Sequence, residues 1–271
     1  MAVPAGNNKG MTSRIIPLEG VDNFRDYGDY RTAAGRLIRP GRLYRSANHA
    51  GATDDDLEAI AALNLAVMVD LRRPEERQRL PNRRPGACAA VVITNDIEEN
   101  PDDPDPWLTF LKGSDLSVAS FHDYLLDYYR TAPFKRRHVD LFARYFQALA
   151  EAEGPVLIHC AAGKDRTGIL AALTHHLVGV HPDDIVEDYL LTNDEARFER
   201  RAPLALQHLA EATGRQPDPA VARMVMGVDA VFLDTAFKAL AEAHGGTDAY
   251  LEQVLGVDAA LKNQIHDRLL A

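Results

Sequence analysis

Cysteine is scarce. The 271 residues hold two, Cys88 and Cys160, too few for a disulfide framework, so in a reducing compartment each is a free thiol to be judged by its surroundings. Positive charge is short as well: the formal net charge is -10 at pH 7. That balance argues against a nucleic-acid binder, whose affinity comes from clustered Lys and Arg, and any anionic ligand needs a locally basic site. No run approaches the roughly 18 consecutive apolar residues of a membrane span, and the N-terminus lacks the basic-then-apolar layout of a secretory signal. A cytoplasmic location is the default expectation, with non-classical export left open. No cluster of metal-ligand spacing appears, so neither a metal nor a cofactor is expected. Apolar residues, by contrast, are 46% of the chain and charged residues 26%, enough to bury a substantial core and to exclude disorder throughout.

Residues 1–13 have no apolar period and read as a flexible leader, which leaves 14–271 as a single domain. Short apolar runs at Arg42 to Tyr44, Ala66 to Leu71, Val91 to Thr94 and Pro155 to His159 read as buried strands. Between them, Thr53 precedes Asp54, Asp55 and Asp56, a helix cap followed by carboxylates on the positive end of a helix carrying Leu57, Ile60 and Leu63. A second helix has Val139, Phe142, Tyr145, Phe146 and Leu149 on one face and is stopped by Gly154 and Pro155. Past Pro182 the spacing stays helical with no strand, so 182–271 is expected to be all-helical. The fold class is therefore α/β, a central sheet flanked by helices with a helical C-terminal third. From Asn95 to Trp107 the acidic residues Asp96, Glu98, Glu99, Asp102, Asp103 and Asp105 crowd around three prolines, and this stretch is expected to be a loop.

The chemistry concentrates at Ile158-His159-Cys160-Ala161-Ala162-Gly163-Lys164-Asp165-Arg166-Thr167-Gly168, which follows an apolar strand and opens an apolar helix. A strand-to-helix turn of this kind aims successive N–H groups and the helix dipole into one concavity, a recurring way to hold a phosphate dianion. The glycine permits backbone angles that a larger residue would resist. Surrounding positive charge favours the thiolate of Cys160, the nucleophilic form. Arg166 brings a planar fork able to bind two phosphoryl oxygens at once. Ala161, Ala162, Gly163, Lys164, Asp165 and Arg166 form the expected phosphate-binding loop.

A Cys, five residues, then Arg and Thr resembles the signature loop of the protein tyrosine phosphatase superfamily. With Gly163-Lys164-Asp165 inside it, the loop is similar to that of the bacterial tyrosine phosphatases that also act on phosphoserine, phosphothreonine or phosphoinositides. Asn23-Phe24-Arg25-Asp26, Arg39 to Ser46, Asp70-Leu71-Arg72 and Tyr189 to Asn193 resemble segments of that family in the same order. The resemblance implies a tyrosine phosphatase-like fold with a mostly parallel sheet, and a phosphatase acting on phosphorylated proteins or phosphoinositides through a phosphocysteine on Cys160. Arg166 and the loop amides would stabilise the equatorial oxygens. The acid that protonates the leaving group is Asp165, the preferred candidate, or Asp96, on a movable loop as in related phosphatases. Thr167 is expected to hydrogen-bond the sulfur, His159 to brace the loop from behind, and Lys164 to add charge at the floor for substrates with more than one phosphate.

Plainer readings stand beside these. Cys88 is expected to be a packing residue, and Arg25 with Asp26 is either a structural ion pair or part of the pocket border. His175 and His176 read as core or surface histidines, and Asp70 with Arg72 as a tie at a strand end. The acidic loop would serve as a solvated face or a flap, and the helices near 190 to 250 as scaffold or lid. Two other reaction classes are weaker. The Walker pattern fails because Ile158 and Asp165 occupy its Gly and Ser/Thr positions, and a rhodanese-type sulfurtransferase fits poorly with Lys164, Asp165 and Thr167-Gly168. A catalytically inactive phosphate-binding module would not need both Cys160 and Arg166.

Overall fold

The computed structural model of the protein describes residues 14–86, 89–99, 102 and 105–271; the N-terminal leader and Cys88 fall outside them. Five strands, β1 (Arg25–Asp26), β2 (Leu43–Ser46), β3 (Val67–Asp70), β4 (Val91–Ile93) and β5 (Val156–His159), form one sheet in the order β1-β2-β5-β3-β4. The β1–β2 pair is antiparallel and the other three pairs are parallel. Every residue of β2, β3 and β5 is buried, as a parallel sheet covered on both faces requires. The two-residue period of a strand divides them cleanly. Val67, Val69 and Ile158 enter the large core, whereas Met68 and Leu157 enter a smaller one on the opposite face with Phe24 and Ile60.

The helices are α1 (Asp54–Ala62), α2 (Pro74–Arg79), α3 (Pro106–Gly113), α4 (Val118–Thr131), α5 (Arg136–Glu151), α6 (Asp165–Val178), α7 (Pro182–Leu190), α8 (Glu195–Thr213), α9 (Ala220–Met226), α10 (Ala230–His244), α11 (Thr247–Gln253) and α12 (Ala259–Leu269). As expected, Thr53 caps α1, and Asp56 completes a capping box with it. Thr53 Oγ1 accepts from the Asp56 amide at 3.2 Å and Asp56 Oδ2 from the Thr53 amide at 3.0 Å, which satisfies two otherwise orphaned donors. The chain from α7 onward is helical. No described helix is long and apolar enough to cross a membrane.

The large core joins α5 through Leu141, Phe142 and Phe146, α6 through Leu170 and Leu173, α10 through Phe232, and α12 through Ile265. A third cluster, Leu111, Phe121, Leu209 and Val221 with Trp107 and Phe110 against it, ties α3, α4, α8 and α9 together beside the sheet. Here one expectation needs correction, because the irregular stretch ends before Trp107. Asp105 caps α3 by accepting from the Leu108 amide at 3.3 Å, and Pro106 takes the first helical position, where its missing N–H costs nothing.

Three parallel strands end level, with Ser46, His159 and Asp70 in register. Chain leaving those carboxyl ends builds the site, as open α/β sheets commonly arrange.

Candidate active site

Cys160 follows directly on β5 and is 2% exposed. Residues 161–164 then turn sharply into α6, and the turn is held from beneath by its carbonyls. Asn48 Nδ2 and the Asn48 amide donate to the Ala161 carbonyl at 2.8 and 3.1 Å. Asn23 Nδ2 and Arg45 donate to the Gly163 carbonyl at 2.8 and 3.1 Å. Carbonyls drawn to the underside leave the amides directed the other way, and no described group accepts from the Ala161 to Lys164 amides. Gly163 makes the turn possible. Its φ is +67°, and a Cβ there would lie 2.4 Å from the Ser46 carbonyl, so any other residue would be strained and would push the loop off β2.

Below lies a buried charge network. Asp188 on α7 accepts from Arg25 Nε at 3.2 Å and from Arg45 at 2.6 Å, and its backbone carbonyl accepts from Arg25 at 2.9 Å. Burial opposes the charge on Asp188, but the two guanidiniums hold its carboxyl well below the usual range. Arg25 therefore does not pair with Asp26, whose carboxylate instead accepts from the Gly28 and Gly41 amides. Neither residue lines the pocket. Arg25 belongs to the loop's foundation through Asp188, and Asp26 ties the backbone at Gly28 and Gly41.

His159 sits behind Cys160. Its ring stacks on His49 at 5.2 Å, and its Nε2 lies 3.2 Å from Asn82 Nδ2 and 3.7 Å from Asp70. Asp70 in turn makes a two-pronged pair with Arg72 at 2.9 and 2.8 Å, tying the end of β3. Burial, then the neighbouring His159, pulls His49 down to about 3.

The open side is a cavity of about 410 Å³, within the usual range for small-ligand sites. Ala161, Ala162, Lys164, Asp165 and Arg166 form one end of it, and Trp107, Phe121, Tyr124, Leu125 and Tyr128 form an apolar wall. Arg166 is gripped by Glu76 on α2, with N–O distances of 2.6 and 2.8 Å. Although burial works against its charge, Glu76 and then Cys160 raise the Arg166 guanidinium well above its ordinary range. The same pairing keeps the Glu76 carboxyl low. Asp165 also faces the cavity, with Oδ1 accepting from the Tyr129 hydroxyl at 2.9 Å.

Three sequence-derived roles fall differently. The Lys164 ammonium donates to the Val225 and Gly227 carbonyls at 2.6 and 3.0 Å. Its charge thus neutralises the carboxyl end of α9 as well as bordering the cavity. Thr167 is fully buried and its Oγ1 has no hydrogen-bond partner, so the expected bond to sulfur is not made. Asp96 is largely exposed, pairs with Arg77 and does not line the cavity. Of the histidines on α6, His175 is buried and bonds the Tyr27 carbonyl at 2.7 Å, while His176 lies near Asp248.

Sequence reasoning passes over Glu76, Asp188 and the whole of α4 with its tyrosines. Signals existed for two of these. Arg73-Pro74-Glu75-Glu76 is a helix start with proline first and a carboxylate third, and Ser117 followed by Phe121, Leu125 and Tyr128 has helical spacing.

Known proteins resemble the chain over most of its length. A model described as the tyrosine phosphatase family matches residues 16–271. A Cupriavidus necator protein provisionally named a tyrosine-protein phosphatase is 34% identical over 249 residues, 90% of this chain and 85% of that one. The triple specificity protein phosphatase PtpB of Mycobacterium tuberculosis is 33% identical over 280 residues, 94% of this chain and 99% of its own. A tyrosine-protein phosphatase of Nostoc commune is 30% identical, covering 83% and 73%.

Proposed function

The chain belongs to the tyrosine phosphatase family, and from that premise we propose that it hydrolyses phosphate monoesters through a phosphocysteine formed on Cys160. The observation that carries the reading is the loop itself: Cys160 and Arg166 border a turn whose Ala161 and Gly163 carbonyls are tied to the underside. In the first step Cys160 Sγ attacks phosphorus in line, the P–O bond to the leaving group breaks, and Asp165 supplies that oxygen with a proton. The unpaired amides and Arg166 take up the charge gathering on the equatorial oxygens. In the second step water, relieved of a proton by Asp165, attacks phosphorus and the P–S bond breaks. The reaction needs no cofactor.

Asp165 is our choice over Asp96 because it lines the cavity and Asp96 does not. Phosphotyrosine is the first substrate, since the cavity's aromatic wall suits an aryl ester. We extend the proposal to phosphoserine, phosphothreonine and phosphoinositides. The triple specificity in the mycobacterial relative's name supports breadth, and Arg73 and Lys135, which line the cavity with Arg166, suit a substrate with several phosphates. We assign 14–271 to one phosphatase domain acting in the cytoplasm, with α9 bordering the site through Val225. The decisive experiment is Cys160→Ser, assayed on phosphotyrosine and phosphoserine peptides and a phosphoinositide panel. Turnover should fall by roughly 10³-fold or more, while phosphate binding survives. A variant that keeps the wild-type rate refutes the phosphocysteine.

A further inference from the structure

We propose that Tyr129, backed by Tyr189, is a positioning residue that fixes the Asp165 carboxyl for proton transfer. The inference deepens the reading above and rests on it. Tyr129 on α4 reaches Asp165 Oδ1 at 2.9 Å, and the Tyr129 and Tyr189 hydroxyls lie 2.6 Å apart. Both side chains are buried, 0% and 1% exposed, so neither hydroxyl can turn to solvent for a partner.

Proton counting fixes the direction of this chain. Each phenol has one hydrogen. Tyr129 donates its hydrogen to the carboxylate, so Tyr189 must donate to the Tyr129 oxygen, and each bond polarises the next. Burial, then the charge of Asp165, raises both phenols well above their ordinary range, so the two hydrogens stay in place. The chain is built in from both ends. Tyr189 lies against Gly168 so closely that a Cβ there would come within 2.8 Å of its ring, and the Tyr129 ring stacks on Phe232 at 5.6 Å.

A carboxyl held at Oδ1 has one edge left for chemistry. Lys164 Nζ also stands on the Oδ1 side, at 3.7 Å, and Oδ2 has no partner among the described residues. In the first step the proton leaves Oδ2 for the departing oxygen as the P–O bond breaks, and Asp165 becomes a carboxylate still held by Tyr129. In the second, Oδ2 takes a proton from water while the new P–O bond forms and the P–S bond breaks. Tyr129 gives up no proton in either step, and its task is to keep the plane of the acid aimed at the mouth of the loop.

The test uses Tyr129→Phe, which keeps the ring, with Tyr189→Phe as the milder second variant. Both are compared on phenyl phosphate, whose leaving group needs the proton, and on p-nitrophenyl phosphate, whose leaving group hardly does. Tyr129→Phe should lower kcat on phenyl phosphate about 10-fold, with KM little changed, and kcat on p-nitrophenyl phosphate less than about twofold. Tyr189→Phe should lower the former about threefold in the same pattern. Added to Asp165→Asn, Tyr129→Phe should cost nothing further. Equal losses on both esters, or a loss that persists in the Asp165→Asn background, overturn the inference. If Asp165→Asn alone affects both esters equally, the assignment of Asp165 as acid falls and the inference falls with it. Discrimination by Asp165→Asn but not by Tyr129→Phe removes the tyrosine alone.

Discussion

The underside of the 160–166 loop and its open face are built by opposite rules. Beneath, Asn23, Arg45 and Asn48 are fitted to particular loop carbonyls, and the Arg25–Asp188–Arg45 network behind them is almost wholly sealed. Around the rim, an exposed Asp96 meets Arg77 from the solvent side, and Arg73 with Arg79 shares Asp105 at the start of α3. A charge sealed without its partner costs several kcal/mol, whereas an exposed pair contributes little. The difference teaches that the loop's shape is set from below, leaving the rim to vary with what must enter.

Breaking the underside should have the largest effect. Asp188→Asn leaves Arg25 and Arg45 facing each other without a counter-charge and should cost about 3–5 kcal/mol, read as a drop in denaturant midpoint. A change under about 1 kcal/mol would show that the network is not what anchors the loop.

Acid should weaken the same region next. His49 is held down to about 3, and burial also lowers His159 and His175. An unfolded histidine titrates near 6.5, so below that pH the unfolded chain binds more protons than the folded one. The stability these rings contribute is full above pH 6.5 and is lost as pH falls toward 3. Asp188 and Glu76 add their loss only below about 4.5, the ordinary carboxyl range. Thermal midpoints measured from pH 7.5 to 5 should therefore already fall by several degrees, and a flat profile would contradict the buried neutral rings.

The smallest effect belongs to the rim. Asp96→Asn should change stability by no more than about 0.5 kcal/mol and kcat on phenyl phosphate by less than about twofold. A loss comparable to that of Asp165→Asn, roughly 10²-fold or more, would move the acid to Asp96 and reverse our reading of the mouth.

Much of this was legible beforehand. Four of the five strands, the capped α1 and the helical last third follow from apolar spacing, and the loop declares itself because its residues are consecutive. What escaped was partnership across the chain. Asp188 lies 163 residues from Arg25, and Glu76 lies 90 from Arg166, so no local pattern links them. β1 is two residues long and α3 starts on a proline, each too brief or too unusual for periodicity to register. Lys164 shows a different limit, since its identity was plain but its direction depends on where α9 ends.

The level ending of β2, β5 and β3 has a consequence for how the protein comes to life. Ser46, Asp70 and His159 are brought to one line only by pairing segments up to 113 positions apart, and such distant contacts form late and slowly. A peptide bearing the loop alone would have no Asn23, Asn48 or Asp188 to hold its shape. Catalytic competence should thus emerge as the last event of refolding, when the sheet closes, rather than with the first helices.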